Sequence, residues 1–426
     1  MGVVNGSDYG APTLDLNFAR NKSLIDTTTG RNLITFTRSS TATYVGSDGL
    51  IKTAGVDTPR FDHDPVTRVC NGLLIEESRT NLVTNSANGI NGTLTNVTRT
   101  LESMMTPNGE PNCFLLKEDN SNGNHRIGYI SNGGLGNIFS LFVKPAGRFR
   151  FRWIVSGTSS SGAYFNLNTG SISYSGNAGS GFIHQYSNGW YRIGVSIVTA
   201  GDNRGDDSFF GLLDDSGTES YTGNGVSGAY IWGAQVESVP SSLFYPTSYI
   251  PTSGSTVTRS TDVATITGTN FSSWYNQSEG TLFQNAISQT PFGGPSGSAS
   301  DAGIGFWIEN PSTNSDLGFW RPATTTNFAS RVYTGGAFSA NFAVVSGWPQ
   351  NGVTKATLAY KQNDFAFSLN GSAAVTDNSG NVATPDRAVI GQQFSASYNR
   401  IGAGTFSRIS YYPKRLPNYQ LQALTR

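Results

Sequence analysis

The side chains able to do chemistry in this 426-residue chain are few. Arg60, Asp62, Asp64, Glu76, Glu77 and Arg79 crowd into one short stretch. Arginine forks pair with carboxylates in two settings, docking between subunits and tying a segment to its own fold. Aspartates before proline also make tight turns, which fits the second setting at Asp64-Pro65. Both readings stay open, and the functional one makes this group a set of assembly contacts.

Aromatic residues are the second resource. A flat indole or phenol face covers the apolar side of a ring-shaped polyol, while neighbouring Asn, Asp and Gln read its hydroxyls. Trp274, Tyr275, Trp320, Tyr333 and Trp348 stand at expected strand ends or beside Gly, Pro, Asn and Ser, where loops present binding residues. They are the candidate ligand-binding residues, against the plainer reading that large aromatics fill cores. Trp190 and Trp232 sit inside strand patterns, and core packing is the favoured reading for both.

Paired acids for glycoside hydrolysis need to flank a groove. The nearest set, Asp206/Asp207, Asp214/Asp215 and Glu219, lies in a Gly/Ser/Asp-rich stretch that reads as a solvated loop or a structural Ca²⁺ contact. The Arg204-Gly205-Asp206 triplet there is a product of composition. No nucleophile elbow opens a helix. His63, His125 and His184 are dispersed, and Cys70 and Cys113 form no metal spacing, so no metal site and no cofactor are expected. The chain reads as a binding protein, not an enzyme.

The elements that must position these groups are strands. Charged residues make up 13% of the chain, about half the usual ~25%. With 28 basic and 28 acidic side chains and no basic face, nucleic-acid binding is not expected. No apolar run is long enough to span a membrane, and the first residues show no signal peptide. Seven Trp, 18 Tyr and 25 Phe argue against disorder. Thr, Val, Tyr, Phe and Ile favour pleated surfaces, and 51 Gly with many Asn and Ser supply turns. The single expected helix is two turns after Pro417, with Leu421 and Leu424 on one face.

Three parts follow. Residues 1–82 carry short apolar pieces and read as an extended arm that wraps another surface, either its own later domains or a neighbouring subunit. Asp48-Gly49 marks a hairpin inside it, and Pro59 to Pro65 reads as irregular. Residues 83–252 alternate strands and turns as a sandwich does. There Phe149, Phe151 and Trp153 face one way, and Arg150 and Arg152 the other. Residues 253–426 form a second β domain, with a hairpin expected after Asp364–Leu369 at Asn370-Gly371.

Four stretches carry a resemblance. They are Phe36-Thr-Arg-Ser-Ser-Thr-Ala-Thr-Tyr44 with Asp48-Gly-Leu-Ile51; Pro59–Pro65 leading to Gly72-Leu-Leu-Ile-Glu-Glu-Ser-Arg-Thr-Asn-Leu82; Asn188-Gly-Trp-Tyr-Arg192 with Tyr230–Glu237 and Thr247–Thr252; and Ile401-Gly-Ala-Gly404 with Ile409–Leu416 and Leu421–Leu424. Together they resemble virion appendage, fibre and decoration proteins of tailed bacteriophages. The resemblance implies an all-β protein: an N-terminal attachment arm, a jelly-roll of carbohydrate-binding type and a concanavalin A/laminin-G-like sandwich, both antiparallel. It implies a virion location after assembly in the host cytoplasm. The implied partners are other virion proteins of capsid or tail, copies of itself as a homo-oligomer (a trimer in fibres) and host surface glycans. The alternatives are a capsid decoration or tail accessory protein that stabilises the particle, and, further off, a polysaccharide depolymerase.

Overall fold

The computed structural model describes residues 10–129, 137–155, 161–176, 178–197, 208–238, 245–288, 305–320, 328–344, 352–395, 398–401 and 403–426. Among these the chain is all-β and antiparallel, as expected, with four large sheets. They form two sandwiches, each closed around its own apolar cluster.

One sandwich is built from both ends of the described chain. Its first sheet runs in the order Val375–Asp377, Phe365–Leu369, Val353–Lys361, Glu279–Ser288, Gly404–Tyr412, Cys70–Ile75, Arg60–His63. One edge of Gly404–Tyr412 is shared. Its first residues pair with Cys70–Ile75 and its last with Leu14–Leu16. In the facing sheet, Thr35–Thr37 pairs with Val263–Thr267. Leu14, Leu16, Phe18, Leu33, Ile34, Phe36, Leu73 and Ile75 are buried in the same cluster as Leu282, Phe306, Phe319, Phe367 and Ile409. The 1–82 segment is thus not a separate arm among the described residues. Of its two expected surfaces it covers its own later domain. Pieces too short to bury a face alone complete a core supplied by residues 263–412.

Backbone packing at that seam is tight. Gly72 adopts φ +113, and a Cβ there would meet the Phe406 carbonyl oxygen at 1.9 Å. Only glycine suits both the angle and the approach.

The other sandwich is inserted between these two halves. One of its sheets centres on Asn137–Ala146 and Gly228–Ser238, the other on Arg150–Val155 and Ser208–Leu213. The chain enters through Arg79–Asn81 and leaves through Val257–Arg259, and these two crossings pair with each other as an antiparallel ribbon. The boundary expected near residue 252 lies on the return crossing, and the boundary at 82 lies just past the outgoing one.

Local expectations resolve individually. The Asp48-Gly49 hairpin joins Ala42–Val45 to Ile51–Ala54. Phe365–Leu369 pairs onward with Val375–Asp377 beyond Asn370-Gly371, both at positive φ. The helix Asn418–Leu424 follows Pro417. Arg60–His63, expected to be irregular, is a strand paired with Cys70–Ile75. Pro59 and Pro65 lie just outside it, so neither costs a ladder hydrogen bond. Phe151 and Trp153 are buried as expected, whereas Phe149 is exposed, because the strand begins at Arg150.

Candidate functional site

The charge group at 60–79 turns inward. Arg60 Nη1 donates to Glu76 Oε2 at 2.7 Å and to the Thr43 carbonyl at 2.7 Å, and Nη2 donates to Asp262. Asp262 also accepts from Arg38 Nη1 at 3.0 Å. Arg259 lies 3.5 Å from Glu76 and donates to the Glu77 carbonyl. Every side chain in this five-membered network is at most 1% exposed. Beside it, Arg79 pairs with Glu77, which also accepts from the Tyr245 hydroxyl at 2.8 Å. Burial pushes the Glu76 carboxyl up, but Arg259, Arg60 and hydrogen bonds from Ser248 outweigh it and hold the group at about 2.

Of the two open readings, assembly contact or ties to their own fold, Arg60, Glu76, Glu77 and Arg79 take up the second in this chain. They are buried against their own chain at the crossing ribbon, because two adjacent crossovers leave backbone and charge that must be satisfied internally. Asp64 caps the next turn, accepting from the Val66 and Thr67 amides at 2.9 and 2.6 Å. Asp62 has a different environment.

Asp62 lines a cavity of about 370 Å³ where the N-terminal hairpin, the inserted sandwich, the 246–249 segment and the terminal sandwich meet. Tyr44, Tyr186, Tyr249 and Pro246 supply its aromatic and apolar wall, and Asp62, His184 and Arg192 its polar groups. Strand alternation sets Asp62 on the opposite face of its strand from His63. The Val45 amide donates to Asp62 Oδ1 at 2.7 Å. Burial pushes the carboxyl up, to about 7, against that hydrogen bond and the pull of Arg60.

Arg192 is 4% exposed and anchored at both ends of its fork, to the Thr247 carbonyl at 2.7 Å and Ser140 Oγ at 3.0 Å. Among the described residues its Nε has no hydrogen-bond partner. Tyr186 packs edge-on against Phe142, 5.0 Å between ring centres, and burial pushes its phenol up to about 12. The site therefore offers a fixed cation, a carboxyl poised near neutrality and phenol rings.

The ligand-binding aromatics expected from sequence are not brought together here. Trp274 is buried in the core, 5.1 Å from Phe271 and 5.0 Å from Tyr411. Tyr275 stacks on Phe271 at 4.8 Å, and burial holds its phenol well above the usual range. Both follow the short helix Gly268–Ser272, absent from the sequence reading, and form a closed aromatic cluster with it, so neither serves as a surface platform. Tyr333 is partly exposed, under Arg331 and edge-on to Phe338. Trp320 ends the strand Ser315–Trp320, and its side chain lies outside the described residues, as does all of Trp348. Trp190 and Trp232 are core residues, and Trp190 Nε1 donates to the Met105 carbonyl at 2.8 Å.

The acidic stretch divides likewise. Asp206 and Asp207 lie outside the described residues. Asp214 caps a turn through the Ser216 and Thr218 amides, and Glu219 takes Arg152 and the Tyr164 hydroxyl. Among the described residues no group of three or more His, Cys, Asp or Glu is arranged to hold a metal ion, and no helix is long and apolar enough to cross a membrane. Cys70 and Cys113 are both free thiols.

Sequence reasoning singled out Asp62 but not the other cavity residues, which come from segments far apart in the chain. Tyr186 and Arg192 had one signal: they flank the Asn188-Gly-Trp motif already quoted.

No protein-family model matches the sequence, and no curated protein matches it. Solved structures with a related shape include the carbohydrate-binding module CBM40 of Ruminococcus gnavus IT-sialidase bound to α2,3-sialyllactose. It is 11% identical, with TM-score 0.26, covering 35% of this chain and 84% of that one. The CBM2 module of the evolved Dit protein of Lactobacillus casei BL23 phage J-1 is 12% identical, with TM-score 0.23, covering 37% and 71%. Domains LG4-5 of the mouse laminin α1 chain are 10% identical, with TM-score 0.24, covering 80% and 92%.

Proposed function

We propose that this chain is a non-catalytic structural component of a tailed-phage virion, a fibre or appendage, that holds a host-surface glycan in the cavity between its two sandwiches. The virion assignment rests on the four sequence stretches quoted above. The glycan assignment rests on one observation: a cavity of about 370 Å³ that combines phenol faces with a carboxyl and a buried, partly unpartnered guanidinium. That volume falls in the range of small-molecule sites, ~300–1,000 Å³. The chemistry suits a polyol ring, whose C–H face covers an aromatic ring while its hydroxyls both donate and accept.

The wall comes from four parts of the chain; Glu76 of the ion network holds Ser248, and Arg192 of the inserted sandwich holds the Thr247 carbonyl, so the site is preorganised and little ordering is needed on binding. A weak single site gains avidity from copy number on a particle. The trimer common in fibres serves that purpose.

Glycan-array binding of the full chain tests the reading, with Tyr186→Ala as the site variant. Binding by the native chain and loss in the variant, with the melting temperature retained, is the expected result. An array with no bound glycan sinks it. Immuno-gold electron microscopy of particles then separates the readings: label at fibre tips supports adhesion, and label over the capsid shell supports decoration instead.

A further inference from the structure

Strand alternation at residues 62 and 63 creates a second site. His63 faces away from the glycan cavity into a pocket of about 520 Å³, between the helix Phe18–Asn21, the turn at 64–69 and the strand Gly404–Tyr412. Arg20, Lys22, Arg68 and Arg408 line it, and among the described residues no carboxylate does. Of the four, Arg408 already donates through Nε to Asp15 at 2.7 Å. In a chain of zero net charge this is a local concentration of cations.

The pocket is built rather than a chance of surface lysines. Lys22 sits in the left-handed cap of the helix, its amide bonded to the Phe18 carbonyl. Arg68, also left-handed, is held by its amide on the Asp64 carbonyl at 2.9 Å. His63 is 4% exposed. Its Nδ1 lies 3.1 Å from the Val45 carbonyl, so in the neutral ring Nδ1 carries the proton and Nε2 is an acceptor. That Nε2 is buried and has no partner. An acceptor without a protein partner among the described residues, beside four cations, matches a ligand that is anionic and also donates a proton.

We propose that this pocket binds a phosphate group, free or carried as a monoester, with the four cations as its wall and His63 Nε2 accepting its P–OH hydrogen. Sulfate has the charge but no such proton at neutral pH, so the site discriminates between the two.

Calorimetric titration of the full chain, at constant ionic strength and about pH 7, above the ordinary imidazole range and where inorganic phosphate still carries a proton in part, is the test. The probes are inorganic phosphate, glucose 6-phosphate and sulfate. Either phosphate is expected to bind at least ~10-fold more tightly than sulfate, the worth of one charge-assisted hydrogen bond. The tighter of the two phosphates identifies the source as free ion or ester. The double variant Lys22→Gln, Arg68→Gln keeps exposed side chains of similar size and is expected to weaken phosphate binding by ~10-fold or more with the melting temperature retained. Sulfate binding as tightly as phosphate, no measurable phosphate binding, or an unchanged double variant each overturns the proposal. Neutral-glycan binding does not enter this experiment, so its failure leaves the junction cavity's reading standing.

Discussion

Arg60 and Asp262, 202 residues apart in the chain, are ion-paired with both side chains fully buried. The pair joins the strand that enters the terminal sandwich early to the segment that returns to it late. Glu76 sits on the same guanidinium, so one arginine closes both crossings.

Removing that arginine takes one cation from each of two buried carboxylates, leaving Arg38 on Asp262 and Arg259 beside Glu76. Breaking a buried ion pair from one side costs about 3–5 kcal/mol. Arg60→Ala is therefore expected to lower unfolding free energy by that amount, measured by urea denaturation of the full chain. A variant within ~0.5 kcal/mol of the native chain contradicts the network's role.

Acid sensitivity follows from Glu76. Its carboxyl is held at about 2 in the folded chain against an ordinary 4.5. Between these values the unfolded chain binds the proton and the folded chain does not, so folding stability falls as pH falls through that window. Its full contribution is present above the unfolded value. Glu76→Gln is expected to be less stable at pH 7 and to show a flatter stability profile between about pH 4.5 and 2. Parallel profiles for the two chains count against it.

Asp62 has the opposite sign. Burial lifts its carboxyl to about 7 from 3.8, so across that interval the folded chain holds a proton that the unfolded chain has lost. Its contribution is complete below pH 3.8 and declines as pH rises towards 7. Asp62→Asn retains an acceptor for the Val45 amide and removes the charge. The variant is expected to be more stable than the native chain at pH 8 and to lose that advantage at pH 4, in thermal melts at the two pH values. An equal advantage at both removes the titration from the explanation.

Trp274 separates packing from binding. Truncating a buried tryptophan costs about 3–5 kcal/mol. Trp274→Ala is expected to show that loss in denaturation. Glycan binding by the fraction that remains folded is expected to equal that of the native chain. Lost affinity with native stability restores Trp274 as a ligand residue.

Much of the architecture was legible locally. Asp48-Gly49 and Asn370-Gly371 announce their hairpins because turn geometry depends on a few adjacent residues. Pro417 announces the terminal helix for the same reason. The sites were less legible. Trp274 and Tyr275 look loop-borne from their neighbours, yet a five-residue helix with no expected signature brings them into the core. Arg60 and Glu76 advertise charge without direction, and only burial shows that they face each other. Tyr44, Asp62, Arg192 and Tyr249 come from segments far apart in the chain, and no one motif spans them.

What residue order determined by itself is the all-β class, the two-sandwich scale and a charge-poor surface, because alternation, turn chemistry and composition act over a few residues. Which strand completes which sheet is a long-range choice. Leu14–Leu16 and Cys70–Ile75 share one edge of a strand more than 300 residues later. That pairing, the insertion of one sandwich into the other and the two pockets on either side of Asp62 and His63 were decided only in the tertiary structure. There, apolar pieces too small to bury themselves found the core that covers them.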